Sequence, residues 1–151
     1  MKSQDSSRVF RIIDANLNRA GEGLRFLEEI SRMYLDDTPL TEELKSLRHD
    51  LMRTDTFFNA KLLASRDSES DVGIDIEVAT DDKEKDLPVL IVANARRVQE
   101  SLRVLEEISK LEFLASEFES EKFKHGRFTL YTIEKKLMSR LLNQDKNTKN
   151  E

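Results

Sequence analysis

The sequence predicts an all-α fold, and three observations carry that expectation. Apolar residues recur at steps of three and four, which is helical spacing. Only four Gly and two Pro interrupt 151 residues, so there are few places for the chain to turn. A long amphipathic run near the start, ANLNRAGEGLRFLEEIS, has a second copy 78 residues later, ANARRVQESLRVLEEIS. Two copies at that period are too few and too long for a solenoid. They predict two helical hairpins related by a pseudo-twofold, each burying the other's apolar face in a four-helix core.

Each element follows from local pattern. The first helix is expected over residues 7–35, with Ile13, Leu17, Ala20, Leu24, Leu27 and Ser31 along one seam and Ile12, Phe26 and Ile30 widening it. Thr38 is the expected N-cap of the second helix, with Pro39 in its first turn and Leu40, Leu44, Leu47 and Leu51 on one stripe. A short helix is expected over 56–64. The pattern then dissolves over 65–86 into an Asp- and Ser-rich loop holding Gly73, and loops of that length are usually functional or disordered. Helical spacing returns over 87–114, with Pro88 in the first turn. Ser116 and Glu119 suggest a capping box for a last helix bearing Phe123, Leu130, Ile133, Leu137 and Leu141. The polar tail from residue 143 is expected to fray. The organisation expected is one helical domain over 1–151: repeat one 8–64, loop 65–86, repeat two 87–142, and the tail.

Composition excludes several function classes. A net charge of -5, mixed in sign along every segment, offers no basic patch for nucleic acid. Without cysteine there are no disulfides, thiolate metal sites or cysteine nucleophiles. No apolar run approaches the roughly 20 residues of a membrane span. A soluble, cytoplasmic protein is the expectation.

The repeat also marks candidate functional residues. Around a 3.6-residue turn, Asn16 and Asn94 fall within the apolar stripes, Gly23 and Ser101 join them, and Arg19 and Arg97 sit at the margins. A mid-helix Gly costs about 1 kcal/mol against Ala, and an unpaired buried amide about 1 to 3 kcal/mol. Such choices suit a ligand or another backbone approaching closely. They equally suit a polar pair that fixes helix register, with the arginines bridging to Glu28 and Glu106. Glu22, Glu29 and Arg25 fall mostly on the outer face, where ion pairing along the helix is the ordinary explanation. His49 and His125 occupy non-equivalent positions and give no metal spacing. Gly21 has Gln99 as its counterpart, and the sequence offers no physical reason for it.

The runs IIDANLNRAGEGLRFLEE, LKSLRHDL, SRDSESDVG and ANARRVQESLRVLEE, in this order, closely resemble the small all-helical hydroxymethylpyrimidine-phosphate kinase, which occurs alone or fused ahead of thiamin-phosphate synthase. The resemblance spans about residues 8–137. Two positions depart from the family pattern: Gly21, where a larger basic residue is common, and Thr129, which lacks a positive charge beside Arg127. The resemblance implies transfer of the γ-phosphoryl group of ATP, with Mg²⁺, to 4-amino-5-hydroxymethyl-2-methylpyrimidine phosphate. Such a reaction asks for phosphate-binding cations, metal-binding carboxylates and a segment that excludes water. It implies Arg19 and Arg97 as phosphate clamps, with Asp71 the nominal base. Asn16, Asn94, Arg66, Asp67, Gly73, Arg48 and Arg127 are implied as substrate or nucleotide contacts, and Glu28 and Glu106 as metal ligands. Two alternatives remain open at this point: a chorismate-mutase-like helical enzyme gripping a dicarboxylate, and a non-catalytic module docking on thiamin-phosphate synthase. The polar seam could be completed within one chain or between two, so a homodimer also stays open.

Overall fold

A computed structural model describes residues 3–79 and 84–150. It contains five α-helices and, among the described residues, no strand. They are α1 (Ser3–Glu29), α2 (Thr38–Met52), α3 (Thr56–Ala64), α4 (Leu87–Ile108) and α5 (Ser120–Thr148). The all-α expectation therefore holds. Helices α1, α2, α5 and α4 close a ring in which each packs on the next, and α1 lies most extensively against α4. The predicted seam residues Ile13, Leu17, Ala20, Leu24 and Leu27 are buried, as are the leucines of α2 and the stripe of α5. Full burial of one such side chain contributes about 1.5 to 3 kcal/mol. Ile12 departs from the expected seam; it is 42% exposed, because it turns away from α4 toward a surface cavity described below.

Helix ends show where local pattern was an incomplete guide. α1 begins before residue 7, and beyond Glu29 it widens into a π-helical turn, Ile30–Tyr34, closed by the Leu35 amide donating to the Ile30 carbonyl at 3.0 Å. Asp36 follows at φ 51°, a left-handed conformation that Asp tolerates better than most residues and that stops the helix. Asp37, rather than Thr38, caps α2: its carboxylate accepts from the Leu40 amide at 3.0 Å. Helix α3 has the predicted bounds, capped by Asp55. α4 stops at Ile108, and a separate 3₁₀ turn covers Glu112–Leu114. No Ser116–Glu119 capping box forms; Glu119 precedes α5 without a side-chain cap. The expected frayed tail is instead helical to Thr148, since each added residue of an established helix gains a backbone hydrogen bond.

Two features of the packing place the functional region. Phe10 of α1 meets Phe58 of α3 edge-on, with centroids 5.7 Å apart, and Phe58 continues to Phe118 and Phe123. This chain of rings pins α3 on α1 and so delivers the loop after residue 65 to the middle of α1. Gly23 sets the α1–α4 spacing. A Cβ there would lie 2.5 Å from Val98 Cγ2 and 3.3 Å from the Asn94 carbonyl oxygen. Val98 is fully buried and β-branched, so its rotamer cannot yield freely. Gly23→Ala is expected to destabilise by about 1 to 3 kcal/mol despite the better helix propensity of Ala, as a urea midpoint would register. Gly21 has a gentler explanation: a Cβ would come to 3.0 Å from Met52 Sδ, the movable end of a flexible side chain seated on α1.

Candidate functional site: two cavities along the first helix

Between α1 and α4 lies a cleft of about 560 Å³, and its walls match residue by residue at a 78-residue interval. α1 contributes Asn16, Arg19, Glu22 and Gly23; α4 contributes Asn94, Arg97, Glu100 and Ser101, with Val104 beyond. The structure thus brings together Asn16, Arg19, Asn94 and Arg97. The Asn16 side-chain amide donates to the Ile12 carbonyl at 2.8 Å, and that of Asn94 to the Leu90 carbonyl at 2.9 Å. Each Asn has its amide nitrogen engaged by its own helix, which fixes the side chain and presents the carbonyl oxygen as the remaining acceptor. Asn16 is buried whereas Asn94 is half-buried, so the two are not environmentally equal. Arg19 and Arg97 are exposed and pair with no carboxylate among the described residues.

A second cavity, about 660 Å³, adjoins the first and shares Asn16 and Arg19 with it. Arg8, Arg11, Ile12, Asp14 and Asn18 of α1 form one side, and Arg66, Asp67, Ser68 and Asp71 of the loop the other. The loop is fastened to α1 by a guanidinium fork: Arg66 Nε and Nη2 donate to the two Asp14 oxygens at 2.6 and 3.1 Å. The Asp14 hydrogen bonds and charge raise the Arg66 pKa above its ordinary value. Arg11 Nη2 donates to the Asp67 carbonyl at 2.9 Å. Asp67 and Asp71 each turn one oxygen to a loop amide, Ser70 at 3.1 Å and Gly73 at 2.8 Å. Gly73 itself does not line the cavity; it completes the turn that holds Asp71.

The remaining candidates lie elsewhere. Glu28 and Glu106 are 3% and 4% exposed and line neither cavity. Arg48 Nε donates to Glu28 at 2.7 Å, tying α2 to α1, and Arg127 Nη2 donates to Glu106 at 2.8 Å, tying α5 to α4. The bridges to Glu28 and Glu106 that the sequence offers to Arg19 and Arg97 are made instead by Arg48 and Arg127. Glu22 and Glu100, by contrast, face the cleft rather than an ion pair on the outer surface. Their repetition at 78 residues was the signal that could have found them. Asp14 carried no such signal, because Val92 stands at its counterpart.

Fold and cavities together define an all-helical bundle built round a polar, arginine-bearing cleft between two of its helices. The chain matches the ThiD2 family over residues 11–136 and belongs to it. It is 47% identical over 111 residues to a thiamine-phosphate synthase of Rhodopirellula baltica, covering 73% of this chain and 30% of that protein. A thiamine-phosphate synthase of Nostoc punctiforme is 39% identical over 137 residues, 91% of this chain and 37% of that one. One from Synechocystis is 39% identical over 144 residues, 95% and 40% respectively. The chain therefore spans about a third of the length of these curated relatives. No solved structure matches it. Among the described residues, no helix is long and apolar enough to cross a membrane.

Proposed function

We propose that this protein is a phosphotransferase of thiamin biosynthesis, converting 4-amino-5-hydroxymethyl-2-methylpyrimidine phosphate to its diphosphate with Mg-ATP. The observation that carries this reading is the pair of adjoining cavities with Arg19 and Asn16 in their common wall. A reaction between two phosphorylated substrates needs two compartments and a cation where they meet. The relatives bear the name of thiamine-phosphate synthase, which fits a protein supplying the diphosphate to such an enzyme, and that synthase is the expected partner. We also read the two hairpins as copies of one unit, given the matched cleft walls and matched Arg–Glu bridges.

The acceptor explains why a general base is dispensable. A phosphate monoester has a second pKa near 6, so at neutral pH its oxygen is already largely deprotonated. That oxygen attacks the γ-phosphorus, the bond from the γ-phosphorus to the bridging oxygen breaks, and ADP leaves with the electron pair. Asp71 then serves the loop's shape rather than proton transfer. What this chain must supply is charge: Arg19 and Arg97 offset the approach of two anions and grip phosphate oxygens bidentately. The Asn16 and Asn94 carbonyl oxygens are acceptors suited to the amino group of the pyrimidine.

Magnesium fits this donor set in a particular way. Among the described residues no three His, Cys, Asp or Glu gather into a cage. Mg²⁺ in phosphoryl-transfer sites is commonly held by one or two carboxylates plus substrate phosphates, and Glu22 and Glu100 in the cleft would hold it so. Bound there, the ion would neutralise charge on the transferring group. Glu28 and Glu106 are replaced in this role, since arginines already occupy them.

The test is ADP release, coupled to an optical readout, with Mg-ATP and the pyrimidine monophosphate. Phosphorylation well above a substrate-free control is expected. Folded protein that releases no additional ADP would reject the assignment.

A further inference from the structure

We infer that the second cavity is a polyphosphate subsite, where the phosphate chain of a nucleoside triphosphate lies along α1 against Arg8, Arg11 and Arg19, leaving the α1–α4 cleft to the acceptor. The inference rests on the phosphotransfer reading and assigns its two substrates to two places.

Four guanidiniums line this cavity, and among the described residues only Arg66 is paired with a carboxylate. That pairing uses both oxygens of Asp14, so the one acidic side chain on the α1 wall no longer opposes an incoming anion. Arg11 is steadied by a neutral backbone carbonyl, which fixes its direction without cancelling its charge. Arg8 and Arg19 meet no carboxylate within 4.0 Å among the described residues. The loop wall adds Asp67 and Asp71, each accepting a loop amide through one oxygen, so the lining sets four guanidiniums against three carboxylates and keeps a net positive charge for an anion.

Length favours a polyphosphate over a single phosphate. From Arg8 to Arg19 the helix rises about 16 Å at roughly 1.5 Å per residue, so the row of cations is extended. The α1–α4 cleft has the opposite character: two arginines are matched by two glutamates, and two amides present oxygen acceptors. That composition suits a ligand with one phosphate and a hydrogen-bonding ring.

The experiment is calorimetric titration of the full chain with magnesium-free ATP, with inorganic tripolyphosphate, and with the pyrimidine monophosphate. The doubly substituted Arg8→Ala/Arg11→Ala protein is expected to bind ATP and tripolyphosphate at least about tenfold more weakly while keeping its affinity for the monophosphate. Arg97→Ala is expected to do the reverse. Arg8→Gln/Arg11→Gln repeats the comparison with side-chain length retained, and circular dichroism verifies the fold of each variant. Unchanged ATP and tripolyphosphate binding in the double variants, equal weakening of all three ligands, or no polyphosphate binding by the parent protein would each overturn the assignment. Turnover is scored separately. Selective loss of polyphosphate binding, with a parent protein that transfers nothing to the pyrimidine, sinks the kinase reading and leaves the subsite standing. Turnover whose KM for ATP ignores Arg8 and Arg11 does the opposite.

Discussion

Arg19→Ala is expected to lower turnover by about 10² to 10³-fold while leaving the helical circular dichroism and the melting temperature nearly unchanged. The size follows from position. Arg19 lines both cavities, so under the proposed phosphotransfer it would be the cation that both substrates reach as the phosphoryl group passes between them. A donor at that point stabilises charge present only as the anions converge, and its loss falls on the chemical step as well as on binding. The stability half follows from exposure: Arg19 is on the surface and holds no carboxylate among the described residues, so truncation uncovers nothing. Arg97→Ala should also leave the fold intact, but Arg97 lines only the α1–α4 cleft. Its larger signature is a raised KM for the pyrimidine monophosphate. Steady-state kinetics with each substrate varied in turn separate the two. If activity and melting temperature fall together in either variant, that arginine is bracing the bundle and the placement of the site is wrong.

The difference between Arg19 and Arg97 shows how far the sequence could lead. The sequence repeat pointed to Asn16, Asn94, Arg19 and Arg97 because a residue that recurs after 78 residues stands out without any coordinates. It could not rank them, since what distinguishes Arg19 is the loop brought alongside it by Arg66 and Asp14. Those two are 52 residues apart, and nothing local to either announces the other. The helices were legible wherever periodicity decided them, as with the stripes of α2 and α5. Their ends were less so, because neighbouring residues compete for the same role: Asp37 and Thr38 are both good caps, and the positive φ of Asp36 settles which one the chain uses. The π-helical turn after Glu29 was invisible for a similar reason. Its hydrogen bonds answer to how α1 must pass into α2, and the composition of ISRMY is compatible with an ordinary helix.

Glu28 and Glu106, expected from the sequence as metal ligands, are each held by an arginine, and Glu106→Ala tests which role the carboxylate has. The carboxylate is 4% exposed and receives Arg127 at 2.8 Å and Arg103 at 3.3 Å. Arg103 is half-exposed and can remain with Glu107, but the Arg127 side chain is only 13% exposed and its Nε is already without a partner. Removing Glu106 strands a largely buried guanidinium between α4 and α5. Breaking one side of such a pair costs about 3 to 5 kcal/mol, which in a chain of this size lowers the melting temperature by on the order of 10 °C. Replacing both partners, as in Glu106→Leu/Arg127→Leu, should recover much of the loss, because apolar side chains need neither hydration nor a counterion. A metal ligand would behave otherwise. Its removal would leave magnesium-free melting unchanged and raise the magnesium concentration required for turnover. Calorimetric melting with and without Mg²⁺, set beside the magnesium dependence of ADP release, decides between a carboxylate that closes the bundle and one that serves the reaction.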